Sequence, residues 1–204
     1  GQRLWLYAFA AIIMMLLVLP TLIVIPMSFS DSQYLEFPPE TWSLRWYRNY
    51  FGSAEWMQAT ATSLKTAVLT MLVATPIGVL AAYALHASRL PYIRAAFVLL
   101  ITPMMVPVVL IAVGAFYAYV KLQILYTITG LVLAHSLLAI PLVVIVTGSA
   151  LQGFDMNLEQ AARSLGAPRW RAFLTITLPQ IRFAVVTSML LSFLASFDEV
   201  VIAM

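Results

Sequence analysis

TGLVLAHSLLAIPLVVIVTGS, Thr129 to Ser149, decides the fold class of this chain. It holds no Lys, Arg, Asp or Glu. At about 1.5 Å per residue a helix of this length reaches roughly 30 Å, the thickness of a bilayer's hydrocarbon core. Four further stretches share its character: about Leu4 to Met27, Ser63 to Leu85, Ala95 to Val120, and a last one from near Gln180 to the end of the chain. Hydrophobic residues make up 63% of the 204 and charged residues 9%. An ordinary soluble domain has about 45–50% and about 25%. Lipid solvates so much apolar surface and water does not. The expected fold is all-α, a polytopic transmembrane helical bundle forming one membrane domain over residues 1–204 with five spans.

The same composition narrows the function. With no cysteine there is no disulfide framework and no thiolate metal site. The net charge of +3 is spread along the chain, and no basic stripe suits nucleic acid. No Gly-rich loop ending in Lys-Ser or Lys-Thr is present to hold a nucleotide phosphate. No group of His, Asp and Ser makes a catalytic constellation, so no catalytic or metal-binding residue is expected. The first apolar stretch is too long for a signal-peptide core and reads as a span.

Basic residues mark the side facing the cytoplasm. With the N-terminus inside, the inner segments carry Arg3, Arg89, Arg94, Arg163, Arg169, Arg171 and Arg182, against Arg45, Arg48, Lys65 and Lys121 outside. A polar outer segment then covers about 28–59, and an inner one about 150–179. TPMMVP, Thr102 to Pro107, sets two prolines four residues apart and is the expected helix interruption. It reads either as a static kink or as a segment lining a path. His135, inside the fourth span, reads first as a buried, hydrogen-bonded neutral side chain, ahead of a proton relay.

The inner segment contains LEQAARSLGAPRWRAFLTITLP, Leu158 to Pro179. Asn157 is the expected cap of a short helix, Leu158 to Leu165, with Gln160 reaching back as in a capping box. Gly166 suits the left-handed position ending it, Pro168 the first turn of the next helix, and Pro179 the start of the fifth span. Glu159 and Arg163, four apart, are an expected surface pair. Ala161 and Ala162 let another protein approach the backbone closely. The competing reading is an amphipathic helix resting on lipid headgroups, with Trp170 and the arginines as anchors.

This segment resembles the EAA loop of ABC importer permease subunits, the inner-membrane components of binding-protein-dependent transport systems. The family pattern is an acid and two alanines, then Gly, then Ile-x-Leu-Pro. Ala161, Ala162, Gly166, Ile176, Leu178 and Pro179 fall in register, while Gln160 stands where the acid is usual and Glu159 precedes it. ETWSLRWYRNYF and FLASFDEVVIAM look like the subgroup serving spermidine, putrescine and related substrates. The resemblance implies a permease domain of six spans, so that one is missing here, in the bacterial inner membrane. It implies a cytoplasmic ATPase dimer that binds ATP and Mg²⁺, a second permease subunit and a periplasmic substrate-binding protein. It also implies that Glu159, Gln160, Ala161, Ala162, Arg163, Gly166, Ile176, Leu178 and Pro179 couple the permease to the ATPase. The chain itself is then no enzyme and holds no cofactor. Ferric iron, an organophosphonate or another small solute are alternative cargoes on the same architecture. A self-contained channel or secondary transporter is a different class, and neither the internal inverted repeat nor the charged relay through several spans that it would need is found in the sequence.

In the fifth span, Ser188, Ser192, Ala195 and Glu199 form a small-and-polar stripe at helical spacing, flanked by Phe193 and Phe197. Asp198 and Glu199 lie roughly 27 Å beyond the start of the span. One reading is a substrate path whose outer end offers these carboxylates, with the two phenylalanine rings, to a cation. The other places the acids in interfacial water and the serines in helix packing.

Overall fold

The computed structural model describes residues 3–88, 90–200 and 202. Arg89, between the second and third expected spans, and Val201, Ala203 and Met204 at the end of the fifth, lie outside the described residues. The helices are α1 Leu4–Met27, α2 Arg45–Gly52, α3 Ala54–Ala87, α4 Ile93–Met105, α5 Val108–Leu122, α6 Ile128–Gln152, α7 Met156–Ser164, α8 Arg169–Ala172, a π-turn Phe173–Thr177, α9 Leu178–Gln180 and α10 Arg182–Phe197. Among the described residues the only β-pairing is an isolated bridge between Ser30 and Trp42. The all-α expectation holds. Among the described residues three helices (α1, α3 and α6) are long and apolar enough to cross a membrane, or up to five spans if each bent pair counts as one.

The described residues fall into two compact units, the first ending at Thr60 and the second beginning at Ala61. In the first, α1 exposes its apolar side chains all round. A helix of that kind is suited to lipid on every side. The polar segment after it is ordered by its own contacts. Arg45 and Asp31 approach to 3.8 Å, Trp46 Nε1 donates to the Ser32 carbonyl at 3.1 Å, and the hydroxyls of Ser28 and Tyr47 lie 2.7 Å apart.

The second unit is built on small residues. Buried positions recur every fourth residue on α3 (Thr66, Thr70, Ala74, Gly78, Ala82), and on α10 (Ser188, Ser192, Ser196). On α6 the same spacing joins His135, Ala139, Val143, Thr147 and Leu151. Residues four apart form the ridges along which helices interlock. Lipid is as apolar as leucine, so spans associate through close fit rather than through exclusion of water. Gly78 marks the closest fit, because a Cβ there would lie 2.5 Å from Val143 Cβ. The α10 helix packs chiefly on α6, and α4 packs on α6 as well.

Two expected spans are bent. The third is α4 and α5, meeting at 98° across Val106 and Pro107. Val106 is extended, the conformation a residue before proline favours, and Pro107 caps α5. The interruption expected from TPMMVP is therefore present, whereas Pro103 stays within α4. The fifth expected span corrects the sequence reading: Pro179 does not open it. Pro179 lies in the short α9, the chain turns at Ile181, and α10 starts at Arg182 after a bend of 80°.

Candidate functional site

Asp155 starts α7, its side chain accepting from the Asn157 backbone N–H at 2.9 Å. This corrects the capping box expected from Asn157 and Gln160: the helix begins at Met156, two residues earlier than that arrangement allows, and the acid before it accepts from the N–H of its second residue. At the other end the reading holds. The Ala167 N–H donates to the Ala162 carbonyl at 3.2 Å and the Gly166 N–H to the Arg163 carbonyl at 3.0 Å, with Gly166 at φ +94°. That pair of bonds is a Schellman closure, and it requires a left-handed residue. Pro168 then sits at the cap of α8 rather than inside its first turn.

Glu159 departs furthest from expectation. No ion pair joins it to Arg163, which is exposed. Its carboxylate is turned inward and is only 2% exposed. Tyr83 Oη donates to its Oε1 at 2.5 Å, and Thr177 Oγ1 donates to its Oε2 at 2.6 Å. Two hydroxyl donors satisfy a buried acceptor, whereas an exposed pair four residues apart on a helix contributes only about 0.2–0.5 kcal/mol. The tyrosine is itself held, its ring 4.6 Å from that of Phe173. Phe173 belongs to the buried cluster with Val79 and Val143, against which Leu178 packs.

The remaining α7 residues divide by face. Gln160, Ala161 and Arg163 are exposed and Ala162 is half-buried, so the face turned away from the unit is small and polar. An open cavity of about 760 Å³ lies beside it, lined by Tyr83, His86, Glu159, Gln160, Arg163 and Arg169 among others. Ile176 is half-buried and Pro179 exposed in the turn-rich corner leading to α10.

The second group of expected residues lies at the other end of α10 and is not brought together with α7. Ser188 and Ser192 have no exposed surface. Ser188 Oγ is 3.4 Å from Thr147 Oγ1 of α6, so this stripe is a seam between packed helices. It is not an open wall, because helix contact has already covered it. Phe193 and Phe197 stack with centroids 5.9 Å apart. Asp198 is exposed at the end of α10, and Glu199 is half-buried, accepting from the Ile202 N–H at 3.3 Å. Among the described residues no group of His, Asp and Glu is arranged to hold a metal. Sequence reasoning missed Tyr83, Thr177 and Asp155. Only Asp155 carries a local signal, as a good cap residue ahead of a helix-forming run.

Residues 74–204, which include α6, α7 and α10, match the family of binding-protein-dependent transport system inner membrane components. The chain belongs to that family. This transport component is similar to the spermidine/putrescine transport system permease protein PotC of Haemophilus influenzae, 32% identical over 96% of this chain and 76% of that protein. It is also similar to PotC of Escherichia coli, at 31% over 92% of this chain and 70% of that one. The molybdenum transport system permease protein ModB of Escherichia coli is 34% identical over 71% of this chain and 69% of its own length. The chain is a multi-pass inner-membrane permease component of ABC import systems, and its relatives are transport permeases.

Proposed function

We propose that this permease component imports a polyamine, spermidine or putrescine, in an ATP-driven complex. In this reading α7 is the coupling helix. Gln160, Ala161, Ala162 and Arg163 seat it in a groove of a cytoplasmic ATPase dimer, which binds ATP and Mg²⁺. Gly166, Ile176, Leu178 and Pro179 shape the corner behind it, a second permease subunit completes the path, and a periplasmic binding protein delivers the solute. The N-terminus is cytoplasmic, as the distribution of Arg and Lys favours.

The observation that carries this reading is the division of α7: one buried acid faces inward, and a small, exposed face is left for a partner. A second protein approaches a helix backbone closely only where the side chains are short. The names of the PotC relatives support a polyamine cargo, as do Asp198 and Glu199, which would attract a cation. The similarity to ModB favours a second reading, an anionic cargo on the same architecture.

The test reconstitutes the permease with its ATPase and binding protein in proteoliposomes. Labelled putrescine, spermidine and molybdate are then offered with and without ATP. Uptake of the polyamines alone, dependent on ATP, is the expected result. Uptake of molybdate alone replaces the cargo, and polyamine uptake that ignores ATP removes the coupling role of α7.

A further inference from the structure

Among the described residues Glu159 is the only buried carboxylate. It is also the one buried residue of α7. A carboxylate withdrawn from water is costly unless strong donors replace the water, and a leucine would fill the same space without that cost. The donors come from two different elements. Tyr83 belongs to α3, 76 residues earlier, and Thr177 closes the π-turn, 18 residues later. One side chain thus ties a nine-residue helix with no other buried residue to a membrane span and to the turn that leads into α10.

We propose that Glu159 is a positioning residue: its carboxylate makes α7, the C-terminal turns of α3 and the π-turn move as one body. A displacement applied to the outer face of α7 is then delivered to α3 and α10 rather than absorbed by the loops at Gly153 and Gly166. This deepens the coupling reading above and rests on it for the source of the displacement. The role is distinct from docking. Gln160, Ala161 and Arg163 are exposed, while both Glu159 oxygens accept from hydroxyls of Tyr83 and Thr177.

The experiment uses the full-length permease assembled with its ATPase and binding protein in lipid nanodiscs or proteoliposomes. It compares Glu159→Ala, Glu159→Gln, Tyr83→Phe and Thr177→Val. The first readout is solute carried per ATP hydrolysed, which a defect in folding alone does not lower in complexes that have assembled. Glu159→Ala is expected to lower that ratio by roughly tenfold with ATPase retention unchanged, and Tyr83→Phe and Thr177→Val by roughly threefold each. Glu159→Gln keeps an acceptor oxygen and recovers part of the loss. Combining Tyr83→Phe with Glu159→Ala adds nothing further, because both cut the same link. Ratios equal to wild type in assembled variants overturn the proposal, and so does loss of the ATPase from every variant, which would make the site part of the docking face.

A second readout needs no ATPase. Trypsin cleaves after Arg163 and Arg171 in the full-length chain by itself, and Glu159→Ala is expected to quicken those cuts roughly tenfold. Unchanged cleavage overturns the clasp even if transport is impaired. If the wild-type chain retains no ATPase, the coupling reading fails while the proteolysis still decides whether Glu159 holds α7.

Discussion

His135 Nδ1 lies 2.8 Å from Ser196 Oγ, joining α6 to α10 inside the second unit. Ser196 Oγ in turn lies 3.3 Å from Thr70 Oγ1 of α3. His135 Nε2 has no hydrogen-bond partner among the described residues. Ser196→Ala removes both links at once and is expected to destabilise the unit by about 1 kcal/mol, the upper part of the range for such bonds between spans. Thr70→Val removes only the longer bond and is expected to cost less than half as much. Thermal unfolding in detergent measures both, and equal effects would show that the histidine contact contributes nothing.

Gly78→Ala is expected to destabilise the packing of α3 on α6 by about 1–3 kcal/mol, because the added Cβ meets Val143 Cβ at 2.5 Å. The clash involves both Val143 Cβ and Cγ1, the latter at 2.6 Å, so Val143→Ala is expected to relieve it in part and Val143→Gly to relieve it further. Double-mutant cycles on unfolding midpoints separate the two partners, and no relief from either variant would show that the cost of Gly78→Ala does not arise at Val143.

Gly166→Val forces a branched side chain into φ +94°, where nothing else within 4 Å opposes it. Left-handed backbone costs an L-residue about 1–2 kcal/mol. The loss is local to the end of α7, so amide exchange at Leu165, Gly166 and Ala167 is expected to quicken while the spans are unaffected. Gly166→Asn is expected to be milder, since asparagine tolerates this conformation. If both variants exchange like wild type, the Schellman closure does not hold the helix end.

Ala161→Arg tests the outer face of α7. The position is exposed, so the fold tolerates the change, with an expected stability effect within about 0.5 kcal/mol. A groove suited to alanine does not admit arginine, and ATPase recovered with the permease is expected to fall at least about tenfold. Full recovery of ATPase would place the docking face elsewhere.

Asp198→Asn with Glu199→Gln removes the two acids after α10. Polyamine uptake is expected to drop by about tenfold while complex assembly is retained. Uptake equal to wild type would remove these residues from the solute's route.

The membrane bundle was legible in sequence because its signal is local: each span is an apolar run of bilayer length. The break at Pro107 and the closure at Gly166 were legible for the same reason, as each depends on one residue's backbone. Partners far apart in sequence were not. The spacing of Ser188 and Ser192 revealed a stripe but not which surface it meets, and that surface is α6. Glu159 looked like half of a surface pair because Arg163 is its neighbour in sequence. Tyr83 sits in an ordinary apolar run with nothing nearby to mark it as a donor to a helix 76 residues later.

The right angle between α4 and α5 limits how that pair can sit in a bilayer. The arms, Ile93–Met105 and Val108–Leu122, are about 20 Å and about 22 Å long, and neither alone matches a hydrocarbon core of roughly 30 Å. Arms at 98° cannot both stand upright; if each leans by about 45°, their combined height comes back to about 30 Å. The elbow then sweeps sideways about as far as it climbs, and claims an area of membrane that a straight rod would leave to lipid or to a neighbouring subunit.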